Sequence, residues 1–169
     1  MGKAGVLLSV LLDLSRLALA IYSIYVTQMI NTEPKYKAQC DISDYVSCSK
    51  TFTSKYGKGF GLIGDLLGEK HPLNQPNGIY GSVFYVLHLL LVLFFRGKIG
   101  MHLRVLNSLA LTIGCGWLAY TLVFVIKHMC IVCVPMYCLN VLSLLADIWQ
   151  LRSRSAAAAT AADARKKKK

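Results

Sequence analysis

M-C-I-V-C-V-P-M-Y-C-L-N-V-L-S-L-L-A-D-I-W, residues 129–149, is a mostly apolar stretch that opens with a C-x-x-C motif. Its length suits one helix through a bilayer, which takes about 20 mostly apolar residues. Three further stretches have this character: residues 6–30, 79–95 and 105–126. Since 55% of the 169 residues are apolar and only 16% are charged, a small water-soluble core does not account for them. The sequence predicts an all-α membrane protein, a bundle of four transmembrane helices.

The formal charge of +11 does not indicate nucleic-acid binding, because the Lys and Arg residues flank the apolar spans. With a cytosolic N-terminus, eleven basic residues, Arg104 among them, fall on the cytosolic side and seven on the other. Basic residues favour the cytosolic side of a membrane. We therefore expect both termini in the cytosol and the long first loop on the opposite side.

The first span contains two charges, Asp13 and Arg16, three residues apart on one helical face. We interpret them as a structural ion pair, which lowers the cost of charge inside a span. A cleaved signal peptide is the alternative, since Lys3, an apolar stretch and the sequence A-L-A at 18–20 occur in the required order. The two charges interrupt that pattern, and the apolar sequence continues to transmembrane length.

The sequence predicts a four-helix transmembrane domain over residues 1–152 and a basic tail over residues 153–169. The loop at about 31–78 is long for a helix bundle, and its aromatic, leucine and glycine residues predict a folded cap with short helices. The tail is Ala-rich without apolar periodicity, and we expect it to be disordered and cytosolic. Its last four residues, all lysine, resemble a dilysine retrieval signal of the endoplasmic reticulum.

The six cysteines are the strongest chemical signal. Cys40 and Cys48 lie in the loop, and Cys130 and Cys133 form the C-x-x-C; two spans separate the pairs, so both lie on one side of the membrane. A C-x-x-C serves redox sites and zinc sites alike, so a four-cysteine zinc site and a purely structural disulfide set remain alternatives. Pro135 indicates that a helix begins at the motif, and a helix N-terminus favours the thiolate.

Two further cysteines and one histidine within the spans carry weaker signals. Cys115, between two glycines, and Cys138 are interpreted as packing residues. We expect His88 to make hydrogen bonds between helices.

Tyr137 lies one turn after Cys133 on the same helical face, where its hydroxyl can donate to an oxygen held near the thiolate. The alternative is that Tyr137 is an interfacial aromatic residue.

Taken in order, the motifs resemble the vitamin K epoxide reductase family over nearly the whole chain before the tail. They are C-D-I-S-D-Y-V-S-C-S at 40–49, S-K-Y-G-K-G-F-G-L at 54–62, L-N-Q-P-N-G-I-Y-G at 73–81, and C-I-V-C with Tyr137. The wording L-N-Q-P-N is closest to the reductase-like branch of vertebrates. Tyr56 departs from the family, which usually has Trp there, but it keeps an aromatic side chain.

The resemblance implies a four-cysteine relay. Cys133 would be the thiolate that attacks the substrate, and Cys130 the resolving cysteine that forms a disulfide with it. Cys48 would then exchange with Cys130. Cys40 would take electrons from a luminal thioredoxin-fold oxidoreductase. Each step is thiol/disulfide exchange, so neither a metal nor a bound cofactor is expected.

The resemblance also implies a substrate, a pocket and a location. The substrate would be a lipid-soluble quinone, vitamin K quinone, or its 2,3-epoxide. The reaction would take place at an endoplasmic-reticulum membrane, with the cysteines on the luminal side. Asn77 and Tyr137 would donate hydrogen bonds to the ring oxygens, although a helix N-cap is the alternative role for Asn77. Six further residues would line an apolar pocket that also takes 4-hydroxycoumarin anticoagulants: Phe52, Tyr56, Tyr80, Phe84, Leu118 and Leu122.

Two other functions fit the same residues. The cysteines could run in the opposite direction, generating disulfides and passing electrons into quinone, because partner potentials set the direction. The second alternative is not an enzyme but a membrane adaptor whose disulfides are structural.

Overall fold

The structure, a computed structural model, describes residues 3–33, 35–43 and 45–167. In chain order its helices are α1 (Lys3–Thr32), α2 (Cys48–Thr53), α3 (Ile63–Leu67), α4 (Asn77–Phe94), α5 (Lys98–Tyr120) and α6 (Cys133–Lys166). A π-helical turn, Thr121–Ile126, extends α5. Among the described residues, four helices are long and apolar enough to cross a membrane: α1, α4, extended α5 and α6. The predicted all-α class and the four spans are confirmed.

The four long helices form a bundle in which α1 and α5 each pack against α4 and α6. Only residues 95–97 connect α4 to α5, so these two helices form an antiparallel hairpin. The outer surface of the bundle is apolar, with side chains such as Leu11, Phe94, Leu106 and Leu145 exposed. An apolar exterior is what a bundle in lipid requires.

The loop between α1 and α4 folds into the expected cap. It contains α2, α3 and two 3-10 turns, Lys55–Gly57 and Gly59–Gly61. Gly59 has φ +52°, and a Cβ there would lie 2.7 Å from the Cβ of Ile63, so this tight turn requires glycine. The turn holds Phe60 over the bundle, also at a positive φ of 58°.

We call the cap together with Cys130 and Cys133 the cysteine half of the molecule. The opposite half contains five buried ionisable residues, each no more than 1% exposed; we call these the charged cluster and the end they occupy the charged half. The cluster consists of Asp13, Arg16, His88, Arg104 and Asp147. The expected ion pair between Asp13 and Arg16 is present, but it is one part of a network joining all four spanning helices.

His88 lies at the centre of the charged cluster. Its Nδ1 is 2.9 Å from both carboxylate oxygens of Asp13, and its Nε2 is 2.8 Å from Asp147 Oδ2. Each ring nitrogen therefore faces a carboxylate, an arrangement that suits a doubly protonated ring donating on both sides. The expected hydrogen bonding of His88 between helices is confirmed, and it joins α4 to both α1 and α6.

Arg104 corrects the count of flanking charges. It was expected at the cytosolic flank of a span, but it lies inside α5. Its Nη2 is 2.5 Å from Asp147 Oδ1 and 2.9 Å from Ser9 Oγ. Burial is tolerated because a carboxylate and polar side chains on other helices surround the guanidinium. Its charge therefore belongs to the interior and gives no information on orientation.

Two further expectations differ from the structure. The chain from Ser153 to Lys166 continues α6 instead of being irregular, because alanine has the highest intrinsic helix propensity and needs no apolar face to continue an existing helix. Cys138, expected to pack, is exposed on the outside of α6. Cys115 is partly buried, and its Sγ accepts a hydrogen bond from Asn140 Nδ2 at 3.3 Å.

Candidate active site

The cap is joined to the segment before α6 by a short backbone ladder. Val46 and Met129 form a parallel bridge, in which Ser47 N donates to Met129 O at 3.0 Å and Met129 N donates to Tyr45 O at 2.8 Å. Cys48 and Cys130 each lie within two residues of this bridge. The backbone therefore brings the loop cysteines to the C-x-x-C.

The four cysteines are present as two disulfides, Cys40–Cys48 and Cys130–Cys133, with Cα–Cα distances of 5.7 and 5.2 Å. The sulfur of Cys130 lies 3.9 Å from that of Cys48, so the two disulfides are neighbours. Cys48 and Cys130 are fully buried, whereas Cys40 is 8% exposed. At this distance, thiol/disulfide exchange between Cys48 and Cys130 is geometrically possible.

The start of α6 surrounds Cys130 with backbone donors. The amide of Cys133 lies 3.2 Å from Cys130 Sγ, and the amide of Val134 donates to the Cys130 carbonyl at 3.2 Å. The helix begins at Cys133, with Pro135 in its first turn as expected. The Cys133 amide and the helix dipole stabilise negative charge on Cys130 Sγ when the disulfide is reduced.

A carboxylate absent from the sequence predictions, Asp41, fixes the loop that carries Cys40 and Cys48. It accepts hydrogen bonds from Ser47 Oγ at 2.8 Å, Ser49 N at 3.0 Å and Ala38 N at 3.2 Å. Burial raises the pKa of Asp41, but hydrogen bonds from Ser49, Ser47 and Ala38 outweigh it and hold the pKa below its ordinary value. The carboxylate thus bridges both sides of the loop closed by the disulfide.

Beneath the cap, a cavity of about 290 Å³ extends between α1, α4, α5 and α6. Cys133 lines it, so one sulfur of the C-x-x-C faces the space where a ligand fits. All eight residues expected to bind substrate line the same cavity: Phe52, Tyr56, Asn77, Tyr80, Phe84, Leu118, Leu122 and Tyr137. The structure brings them together, while their contacts with substrate stay predictions.

Asn77 is the first residue of α4, and Pro76 is the N-cap, so the side chain does not cap the helix. Its Oδ1 accepts from Phe60 N at 2.9 Å and its Nδ2 donates to Tyr56 O at 2.6 Å. The amide therefore holds the cap turn and has one N–H left for a ligand. Within the described part of the chain, no partner is found for the Tyr137 hydroxyl, which leaves it available to a substrate oxygen.

Phe60 lines the cavity and is held by three contacts. Besides the bond to Asn77, its carbonyl accepts from Trp117 Nε1 at 3.0 Å. Its ring lies 5.6 Å from that of Tyr80, centroid to centroid. Neither Phe60 nor Trp117 is among the site residues predicted from the sequence. The glycines on either side of Phe60 are the signal that could have indicated a tight turn there.

Comparison with known proteins gives consistent results. A family model described as "Vitamin K epoxide reductase family" matches residues 4–148. The protein named "Vitamin K epoxide reductase complex subunit 1" of Mus musculus is 42% identical over 130 residues, covering 77% of this chain and 80% of that protein. The protein of the same name from Rattus norvegicus is 40% identical over 129 residues, covering 76% and 80%. The family match contains both cysteine pairs and every residue expected to bind substrate.

Proposed function

The chain belongs to the vitamin K epoxide reductase family, and on that premise we propose that it reduces vitamin K 2,3-epoxide and vitamin K quinone with electrons from its own cysteines. The observation that carries the proposal is the sequence of contacts from loop to cavity. The sulfur of Cys130 lies 3.9 Å from the sulfur of Cys48. It also forms a disulfide with Cys133, which lines the cavity.

In the proposed reaction the reduced Cys133 thiolate adds to a ring carbon, and negative charge develops on a substrate oxygen. The Tyr137 hydroxyl and the remaining N–H of Asn77 stabilise that charge. Cys130 then attacks the Cys133 sulfur, and the disulfide forms as two electrons and the two thiol protons pass to the substrate. Quinone becomes hydroquinone; epoxide becomes quinone and water.

The C-x-x-C disulfide is then reduced again by the loop cysteines, through the same contacts. Cys48 as a thiolate attacks Cys130 and releases Cys133; Cys40 then attacks Cys48 and releases Cys130, which leaves the loop disulfide. An external dithiol reduces that disulfide at Cys40. We propose a thioredoxin-fold protein of the endoplasmic-reticulum lumen as donor, since Cys40 is the most solvent-accessible of the buried relay cysteines Cys40, Cys48 and Cys130.

This role requires the cysteine half to face the lumen and both termini the cytosol. A glycosylation sequon introduced near Lys55, on the exposed surface of the cap, should be modified in microsomes, whereas one after Thr160 should not. The reverse pattern would place the cysteines in a reducing compartment and contradict the orientation.

The test of activity is turnover in microsomes with dithiothreitol, using vitamin K epoxide and vitamin K quinone as separate substrates. We expect both to be reduced, with inhibition by a 4-hydroxycoumarin that competes for the cavity. Cys40→Ser should lose turnover with a protein reductant yet keep much of it with dithiothreitol, because a small dithiol bypasses the loop.

Three outcomes would contradict all or part of the proposal. No reduction of either substrate, with the C-x-x-C still reducible, would exclude the reductase activity. Faster quinone-dependent oxidation of a reduced client protein than epoxide reduction would identify a disulfide generator. Equal loss with both reductants in Cys40→Ser would make the loop disulfide structural.

A further inference from the structure

Tyr85 on α4 lines the cavity without a role in the reaction described so far. The side chain is 2% exposed. Its hydroxyl oxygen accepts a hydrogen bond from Asn140 Nδ2 at 3.0 Å. Because Asn140 is the donor, the hydroxyl proton of Tyr85 is still available, and no acceptor for it is found in the part of the chain that the structure describes. A buried donor without an acceptor is costly, which points to a ligand atom in the cavity.

The direction of the Asn140 bond follows from its other partner. Arg16 Nη1 donates to Asn140 Oδ1 at 3.2 Å, and a guanidinium has donors only. The oxygen of the amide must therefore face Arg16, and the amide nitrogen faces Tyr85. The two N–H groups of that nitrogen are directed to its nearest acceptors, Met136 O at 2.9 Å and the Tyr85 hydroxyl oxygen, while Cys115 Sγ lies further away at 3.3 Å. Asn140 is fully buried and cannot accept the Tyr85 proton without turning over.

Arg16 is in turn fixed by the charged cluster. Its guanidinium pairs with Asp13, which contacts His88 on α4. It also lies over the Tyr85 ring, 4.9 Å from the centroid, a distance at which a cation is attracted to the ring face. The ring of Tyr85 is thus held on its face by Arg16 and at its oxygen by Asn140.

We infer that Tyr85 is a third polar contact for the substrate, and that Asn140 and Arg16 are positioning residues that present its hydroxyl proton to a substrate oxygen. The inference rests on the proposed function, because the acceptor is a carbonyl or epoxide oxygen of a lipid-soluble quinone. Asn140 follows Tyr137 by three residues on α6, about one helical turn. A ring with one oxygen at Tyr137 can therefore place its second oxygen deeper, at Tyr85.

The division of polar contacts supports this assignment. The Asn77 amide already bonds to the cap through both its oxygen and its nitrogen, so its remaining N–H moves with the cap. Tyr85 is held by helices α1 and α6 and does not depend on the cap. Together with Tyr137 on α6, Tyr85 would give the substrate two polar contacts that lie in the bundle and do not depend on the cap.

The test uses the full chain in lipid nanodiscs, with Tyr85→Phe, which deletes only the hydroxyl. We would bind a naphthoquinone with isotope-labelled carbonyls to Cys133→Ser protein, which cannot turn over, and record the carbonyl infrared bands. A lost hydrogen bond moves one band to higher frequency. KM for the quinone, measured in the protein with intact cysteines, should rise about tenfold to a hundredfold, as for one hydrogen bond lost in a buried site. Tyr120→Phe on the exposed side of α5 is the matched control and should change neither.

Asn140→Asp tests the positioning role. The new carboxylate can still accept from Arg16, but it has no N–H for Tyr85 and would instead accept the Tyr85 proton. The band shift and the rise in KM should then match those of Tyr85→Phe, and the double variant should be no worse than either single variant. Additive effects would overturn the positioning role.

The outcomes separate this inference from the proposed function. Unchanged carbonyl bands and KM in Tyr85→Phe, with an active parent protein, would overturn the inference alone. A parent protein that neither binds nor reduces naphthoquinone would overturn the proposed function and the inference with it. If Asn140→Asp fails to fold, judged by its melting curve, Tyr85→Phe still decides the assignment.

Discussion

The cysteine half and the charged half are held together by different forces. Around the cysteines the buried core is an apolar cluster that includes Val26, Phe52 and Leu122, with buried hydroxyl groups such as that of Thr51 beside it. In the charged half the buried side chains include ion pairs and polar groups centred on His88 and Asp147. In lipid, apolar contact between helices provides little driving force, and polar pairs between helices are the stronger constraint. We therefore expect the ion network to set the helix positions, whereas the cavity and the four cysteines lie in the half with the apolar core.

The largest expected effect lies in the cysteine half. Cys133→Ser or Cys130→Ser should abolish turnover even with dithiothreitol, since one sulfur must attack the substrate and the other must release it. Single-turnover assays in microsomes measure this. Cys138→Ser, which changes an unpaired cysteine on the outside of α6, is the control and should keep the parent rate. Near-parent activity in either C-x-x-C variant would remove the mechanism.

Substitution of Asp147, in the charged half, should change stability instead of chemistry. Asp147→Asn removes the charge that contacts His88, Arg104 and Ser108. Breaking a buried ion pair from one side costs about 3–5 kcal/mol, and we expect a lower melting temperature in detergent to show it. The folded fraction should keep a reducible C-x-x-C. Asp163→Asn, on the exposed end of α6, is the matched control.

An unchanged melting temperature in Asp147→Asn would mean that the ion network does not set the helix positions. Loss of C-x-x-C reducibility in the folded protein would mean that the two halves are coupled more tightly than their separate interactions indicate. Either result would replace the contrast between the halves with a single cooperative unit.

The sequence predicts the cysteine half better than the charged half, for physical reasons. Span length and the C-x-x-C are local patterns, and the family resemblance supplies the loop pair. Arg104 directly precedes the apolar stretch 105–126 and so looks like a flanking charge, whereas its partner Asp147 lies 43 residues away on another helix. Nothing in the local sequence shows that two charged residues share an interior. The bonds of Asn77 likewise depend on the backbone turn at Phe60, which brings donor and acceptor together only in the folded cap.

A smaller effect is expected from the substrate donors. Tyr137→Phe should lower kcat/KM about tenfold to a hundredfold, which corresponds to roughly 1–3 kcal/mol for a donor lost in a buried site. Asn77→Ala should lower it too, but should also loosen the cap, because Asn77 holds Phe60 and Tyr56 in place. Kinetics with dithiothreitol measure the loss of the donor, and protease cleavage of the cap measures its loosening. Parent efficiency in both variants, with unchanged C-x-x-C reducibility, would leave orientation of the substrate to cavity shape.

The smallest expected effect is the pH-dependent contribution of Asp41 to the cap. Its pKa is lowered in the folded protein, so its stabilisation is present above the ordinary carboxyl pKa and is lost as pH falls through the lowered value. Since the side chain is only partly buried, Asp41→Asn should cost about 1 kcal/mol near neutral pH. The difference in melting temperature between parent and variant should shrink to nothing in acid. Asp65→Asn, which removes an exposed pair with Lys55, should change stability by less. A difference between parent and Asp41→Asn that persists below the carboxyl range would show that the charge of Asp41 does not hold the loop, and that its shape or hydrogen-bonding capacity alone does.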